Sequence, residues 1–262
     1  MTGWKIALIV AMICATTAKG ANAGTEATVK ISVVYDNNAL EGYGSAWGFG
    51  CVIDTGGKRI LFDTGGRWKL LKSNMERLGI DPGSIETVFI SHLHGDHTGG
   101  LTGICEAGKN LTVYLPHSGS ESLAGRLEAM GHSAVRVRES LAIAPGVLST
   151  GEMSGPPPEQ GLIIPCAQGF ILIAGCAHPK IDRMTEQAKE IAGAKPVFVM
   201  GGFHLVTTTA RTVEQIARRM KVLGVERIAP CHCTGNRAVK VFERIFGDDC
   251  LSCAAGRVFE FR

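Results

Sequence analysis

Two textures alternate along the chain and predict its elements. Short β-branched and apolar runs predict strands at Val29–Tyr35, Gly50–Ile53, Arg59–Phe62, Thr87–Ile90, Leu111–Leu115, Ala134–Val137, Leu162–Pro165, Phe170–Ala174, Pro196–Met200, Arg227–Ala229 and Val258–Phe261. Longer stretches with apolar positions three and four apart predict helices at Arg67–Leu78, Ser120–Met130, Ile181–Ile191, Thr209–Leu223 and Arg237–Phe246. In the fourth of these, Val213, Ile216, Ala217, Met220 and Leu223 form one stripe, with Arg218, Arg219 and Lys221 outside it. Thr55-Gly56-Gly57, between two strand runs, predicts a tight turn. Strands come first, helices are interspersed later, and the chain ends on a strand. That order suits two packed sheets with helices on the outer faces, although a single doubly wound sheet has the same periodicity.

The first 23 residues follow a different rule. Lys5 precedes an apolar run, Ile6–Ala15, and Ala21-Asn22-Ala23 has the small-x-small form that signal peptidase cuts after. A run this short falls well below the roughly 20 apolar residues that cross a bilayer. The pattern predicts a cleavable signal over residues 1–23, cut after Ala23, a mature domain over residues 24–262, and a periplasmic or secreted protein without stable membrane insertion.

Composition narrows the partners. Hydrophobic residues make up 45% and charged residues 19%, which excludes a disordered chain. The formal net charge of +3 and the 6% of aromatics, with no basic run, speak against a nucleic-acid partner and leave a small-molecule substrate. Oligomeric state is not written in the sequence. Removal of Cys14 with the signal leaves eight cysteines, including the pair Cys250 and Cys253, and in an oxidising compartment at least one disulfide is expected.

The chemistry is concentrated in Ser91-His92-Leu93-His94-Gly95-Asp96-His97, directly after the strand run ending at Ile90. Neutral imidazoles and a carboxylate are ligands for zinc, iron and manganese. His92 and His94 leave a strand facing one way, and the turn that follows swings Asp96 and His97 to the other side, so one segment serves two adjacent metals. Gly95, Gly99 and Gly100 permit the tight backbone path.

This segment resembles the HxHxDH signature of the metallo-β-lactamase-fold superfamily. Leu61-Phe62-Asp63-Thr64-Gly65 resembles the strand-ending DTG that precedes it there. Asp36-Asn37, Gly175-Cys176-Ala177-His178, Gly201-Gly202-Phe203-His204-Leu205 and His232-Cys233-Thr234-Gly235 are similar to a narrower group, the dihydropterin–ribofuranosylaminobenzene phosphate synthase-like metal-dependent hydrolases. The resemblance implies a four-layer αββα sandwich with one or two divalent ions at the rim between the sheets, zinc first, manganese or iron otherwise. It implies His92, His94 and His178 on one ion, and Asp96, His97 and His232 on the other. Where many relatives carry a bridging aspartate after a glycine, this chain has Cys176, which either ligates in its place or pairs with Cys166.

The resemblance also implies roles beyond the ligands. Asp96 orients the attacking water, and a divalent ion lowers the pKa of that water from 15.7 to about 7. His204 stands beside the substrate as a general acid. Asn37, Phe203, His204 and Thr234 contact the substrate, and Asn38 and Trp47 lie in flanking loops. His117 and His132 match no motif. The implied activity is hydrolysis of an ester, a phosphoester or a related small molecule. A β-lactamase or lactonase is a second reading, and a non-catalytic periplasmic metal- or ligand-binding protein a third.

Overall fold

The computed structural model describes residues 28–262. The expected export signal and its cleavage point lie outside the described residues. The strands are β1 (Val29–Tyr35), β2 (Gly50–Asp54), β3 (Arg59–Phe62), β4 (Thr87–Phe89), β5 (Thr112–Pro116), β6 (Ser133–Val137), β7 (Ala142–Ala144), β8 (Val147–Ser149), β9 (Leu162–Cys166), β10 (Gly169–Ala174), β11 (Pro196–Gly202), β12 (Arg227–Cys231) and β13 (Val258–Phe261). The helices are α1 (Trp68–Arg77), α2 (Gly95–Thr98), α3 (Leu101–Ala107), α4 (Glu121–Ala129), α5 (Ile181–Ala192), α6 (Ala210–Leu223) and α7 (Asn236–Phe246). One sheet has the order β13-β1-β2-β3-β4-β5-β6 and the other β12-β11-β10-β9-β8-β7. From β3 to β6, and from β10 to β12, neighbouring strands run parallel.

Period-two alternation divides each strand's residues between two cores. In β2 and β3, Cys51, Ile53, Ile60 and Phe62 face the space between the sheets, where Ile164, Ile171, Ile173 and Met200 meet them. Val52 and Leu61 point the other way, onto Leu71 and Met75 of α1 and Leu101 and Ile104 of α3. Across the sandwich, Phe170, Leu172 and Ala174 of β10 meet Met184 of α5, Val213 and Ala217 of α6 and Phe242 of α7. Three cores between four layers make the αββα sandwich, and the doubly wound single sheet is excluded. No helix among the described residues is long and apolar enough to cross a membrane.

Three expectations need correction. The hairpin β7–β8 and the helix α3 went unpredicted. Strands of three residues are too short to show a period, and α3 carries Gly103 because a side chain there would collide with the Trp68 ring. The expected disulfide is not formed, since all eight cysteines among the described residues are free thiols. Cys166 pairs with Gly169 at the start of β10, whereas Cys176 lies past its other end, about 20 Å away at ~3.3 Å per residue. Cys250 packs with the outer helical core and Cys253 with the inter-sheet core, so the CxxC pair splits between two layers.

Parallel strands deliver the chemistry to one rim. The segments after β3, β4, β10, β11 and β12 all leave the C-terminal ends of their strands there. The close approach of the two sheets depends on glycine. A Cβ on Gly175 would collide with Ser91 Oγ, and one on Gly201, at φ 117°, with the Ala174 carbonyl.

Candidate metal centre

The structure brings His92, His94 and His178 together, with their nearest ligand atoms within 4.8 Å of one another. Asp96, His97 and His232 form a second such group. The two touch, with the His92 and His97 rings 4.1 Å apart, centroid to centroid. The α2 turn carries Asp96 and His97 away from the strand-end pair and toward His232.

Each imidazole but one is held from behind by oxygen. His97 Nδ1 lies 2.6 Å from Asp63 Oδ2. The same oxygen accepts the Ser91 hydroxyl at 2.7 Å, and Ser91 Oγ lies 2.9 Å from His92 Nδ1. His178 Nδ1 is 2.8 Å from Glu159 Oε2, and His232 Nδ1 is 3.1 Å from Asn37 Oδ1. A carboxylate or amide oxygen accepts, so Nδ1 of His97, His178 and His232 carries the proton, and the Ser91 oxygen, whose own proton goes to Asp63, accepts from His92 Nδ1. The Nε2 atoms of His92, His97, His178 and His232 are turned toward one another at the rim, which is how a metal-binding imidazole is oriented. His94 meets His92 Nε2 through Nδ1, at 3.2 Å.

The donor set fits divalent cations. Two nitrogens about 2.0–2.1 Å from one tetrahedral ion stand about 3.3 Å apart. The His92–His94 contact is 3.2 Å, and His232 Nε2 lies 3.3 Å from Asp96 Oδ2. His232 Nε2 is nevertheless buried without a hydrogen-bond partner, an orphan that a cation between it and Asp96 would satisfy.

The local electrostatics favour ligation. Burial, reinforced by the neighbouring His97, pushes His92 down to about 3. Burial and His232 push His97 down to about 4. Both rings are therefore neutral near pH 7, the form a metal requires. Burial opposes ionisation of Asp96, but its contacts with His232 and His97 hold it well below the usual carboxylate range. Burial raises Asp63 to about 7 against the pull of His92 and Ser91.

The backbone is strained where it delivers these groups. Asp63 (φ 52°), Ala177 (54°), His204 (50°) and His232 (47°) all adopt left-handed conformations. Such residues cost on the order of 1–3 kcal/mol each and persist only where the surroundings hold them. Asp36 Oδ1 accepts the His232 N–H at 3.0 Å, and Asn37 Nδ2 donates to the His232 carbonyl at 3.0 Å. Thr64 donates twice to the His97 carbonyl.

Glu159 has the largest unforeseen role. Its Oε1 accepts the N–H groups of Gly175, Cys176 and Ala177, at 3.0, 2.9 and 2.9 Å. Its Oε2 accepts the N–H of His178 at 3.0 Å, besides the ring. One buried carboxylate thus shapes the whole Gly175–His178 turn. The stretch Gly151–Gln160 predicts only a mid-chain loop, because prolines and glycines signal an irregular path without saying where it goes. Only the Glu-Gln pair behind three prolines, directly before a buried strand, hints at more.

The expected substrate contacts are redistributed. Both ends of the Asn37 amide are occupied, by His232 and by the Gly48 N–H at 3.1 Å, so Asn37 positions a ligand. Phe203 packs against Phe242 and lines the cavity beside His204, while its N–H donates to the buried Thr234 Oγ1 at 3.0 Å, so Thr234 braces two loops. His204 does reach the site, its ring centroid 4.5 Å from that of His178. A hydrogen bond with Cys233 raises its pKa against the effect of burial. Trp47 is 57% exposed and lies 4.9 Å from the His232 ring. His117 and His132 are remote; His117 contacts Arg138 and His132 accepts the Leu111 N–H. A cavity of about 530 Å³ opens beside His178 and His204, with Lys180, Leu205 and Arg219 in its walls.

A Glu159→Gln substitution tests this arrangement. Glutamine offers one oxygen where five donors need two, so a loss of about 1–3 kcal/mol of stability is expected near pH 7. Metal affinity should fall about 10- to 100-fold. Burial opposes ionisation, but the contacts with His178 and the neighbouring His92 lower the Glu159 pKa to about 2. Its stabilising effect is therefore complete above the unfolded value of about 4.3 and is lost as pH falls through about 2. The deficit of the variant, followed by urea denaturation of metal-free protein, should shrink over that window. A deficit that stays constant from pH 7 to pH 2 would show that the charge on Glu159 is not what holds the turn.

Comparison with known proteins agrees with this fold. Residues 51–232 match the Metallo-beta-lactamase superfamily. The chain is 30% identical, over 78% of its length and 85% of the relative's, to the 7,8-dihydropterin-6-methyl-4-(beta-D-ribofuranosyl)-aminobenzene-5'-phosphate synthase of Methanocaldococcus jannaschii. It is also similar to the crystal structure of Tm1679, a metal-dependent hydrolase of the beta-lactamase superfamily, with a TM-score of 0.76 and 28% identity over 88% of this chain and 98% of that one. Human tRNase Z, short form, at 16% identity, a TM-score of 0.62 and coverage of 89% and 99%, shares the fold. Matched along most of its length, the chain belongs to the metallo-β-lactamase superfamily.

Proposed function

We propose that this protein is an exported metal-dependent hydrolase that acts on an ester or phosphoester of a small molecule. The observation that carries the reading is the pair of donor groups, His92, His94, His178 and Asp96, His97, His232, whose free nitrogens and carboxylate converge at one rim. Divalent ions, zinc first, would supply Lewis acidity and water activation there. Asp96 spans the second group and is placed to orient a water. His204 stands at the mouth of the cavity, where an imidazole delivers a proton to a leaving group. The cavity wall offers the Lys180 and Arg219 cations to an anionic substrate, although Arg219 is already paired with Asp182 at 3.2 Å. Export rests on Lys5, the apolar run Ile6–Ala15 and Ala21-Asn22-Ala23. The proposal is hydrolysis in that compartment, and the synthase reaction in its archaeal relative's name is not carried over.

The ligand roles are tested by elemental analysis of purified variants. His94→Ala and His232→Ala should each lose at least one equivalent of transition metal and remain folded, since their side chains lie at strand ends outside the three cores. Asp96→Asn should lose both metal and turnover. His204→Ala should keep its metal and lose rate by on the order of 10²–10⁴-fold. The loss should be smaller for an ester with a good leaving group, which needs no proton. If His204→Ala loses metal in step with activity, His204 is a ligand, and one of His178 or His232 is not.

The compartment is tested separately. The N-terminus of protein isolated from its own cell should be Gly24. An intact Met1 on soluble cytoplasmic protein would overturn export without touching the hydrolase reading.

A further inference from the structure

Two cysteines outside both donor groups meet at the rim. Cys176 follows β10 and Cys233 follows β12, with β11 between the two strands. Strands two places apart in a sheet stand roughly 10 Å from each other. The sulfurs of Cys176 and Cys233, together with a ring nitrogen of His232, nevertheless lie within 4.8 Å of one another. Both loops bend at left-handed residues, Ala177 at φ 54° and His232 at φ 47°. Gly202 ends β11 without a side chain, and a Cβ there would collide with the Gly175 carbonyl and with Cys233 Sγ. Cys233 Sγ donates to the Cys176 carbonyl at 3.7 Å and accepts the His204 N–H at 3.3 Å, so it is already aimed at residue 176.

The separation suits one covalent bond. A disulfide needs about 2.05 Å between its sulfurs, and side-chain rotation with a small movement of either loop covers the difference. The bond would stand in the space of the second donor group. Cys176 Sγ is 3.3 Å from His97 Nε2, and Cys233 shares its group with His232. An S–S bond there fills the gap between His97 and His232 that an ion on Asp96, His97 and His232 needs. It also removes the thiolate, which is the form of sulfur that binds metals. Crosslink and ion therefore compete for one place.

We propose that Cys176 and Cys233 form a reversible disulfide when the rim is metal-free, a modification made by hydrogen peroxide that closes the centre to metal and that a bound ion prevents. The proposal rests on the metal-centre reading above. One sulfur attacks peroxide, breaks its O–O bond and becomes a sulfenic acid, with release of water. The second sulfur then displaces that oxygen as another water, and the S–S bond forms. Two thiols lose two hydrogens and two electrons, and one peroxide takes them up to leave as two waters. Each cysteine is 3% exposed, which shuts out a protein oxidant and leaves peroxide as a reagent small enough to reach them.

The test is peroxide treatment of the full mature chain, stripped of metal, followed by peptide mapping. Titratable thiols should fall from eight to six, the mass should drop by two hydrogens, and one crosslink should join the Cys176 and Cys233 peptides. Zinc at about ten times its Kd should slow the crosslink about 10-fold, in step with the fraction of protein left metal-free. The oxidised protein should bind at least one equivalent of zinc less than the reduced protein, and dithiothreitol should restore it. Cys233→Ser should form no crosslink to Cys176. No crosslink in the wild type, or one that joins Cys231 to Cys253, which line one small cavity with His232, would overturn the proposal. Full zinc binding by the crosslinked protein would overturn it too and leave the metal centre standing. Zinc that fails to bind even the reduced chain would sink the metal centre and the proposal with it.

Discussion

The rim depends on buried oxygen atoms that hold imidazoles by one nitrogen. Asp63 holds His97 directly and His92 through Ser91, Glu159 holds His178, and Asn37 holds His232. Each contact settles which ring nitrogen is protonated and which faces the centre, so the donor sets are preorganised before any ion arrives. The carboxylates are themselves costly to bury. Glu159 meets that cost with five donors, and Asp63 with the Ser91 N–H, the Ser91 hydroxyl and the His97 ring. Removing either would leave several buried donors unpaired at once.

The sandwich exists to make those oxygen atoms meet. Asp63 ends one strand of the first sheet and Ser91 follows its parallel neighbour, which places them side by side. Glu159 and Gln160 come from the loop before β9. That loop crosses to the first sheet, where the Gln160 side chain donates to the Ile90 carbonyl and its backbone N–H to that of Ser91, each at 2.9 Å. The inter-sheet core, filled by residues such as Phe62 and Ile173, sets the distance across which these polar groups join. Left-handed conformations at Asp63, Ala177, His204 and His232 are tolerable because the neighbouring backbone groups at each are hydrogen-bonded to partners on other elements.

What was legible in the sequence was local. His92, His94, Asp96 and His97 share one hexapeptide, so their joint chemistry needs no knowledge of the fold. Apolar runs located most of the strands and helical stripes placed α5, α6 and α7, because burial leaves a period, while the division into two sheets came from the family resemblance. Glu159 left no such trace, being sixteen to nineteen residues from the groups it binds in a segment with loop composition. Asp36 and Asn37 act on His232 across 195 residues or more. Their motif could be read as belonging to the site, but reach into the substrate and support from behind look alike in one dimension. Thr234 was misjudged for the same reason, since adjacency to His232 in sequence says nothing of which way a side chain turns.

The Glu159 arrangement also bears on how the centre can vary. Every contact that Glu159 makes with the Gly175–His178 turn is to a backbone N–H group or to the His178 ring. None is made to the side chain of residue 176. Glu159 thus holds the turn without reading the side chain at residue 176. The residues that hold the imidazoles do read side chains, because each meets a specific ring nitrogen. The geometry that would receive an ion is therefore set by buried oxygen atoms that cannot be exchanged without leaving a donor unpaired.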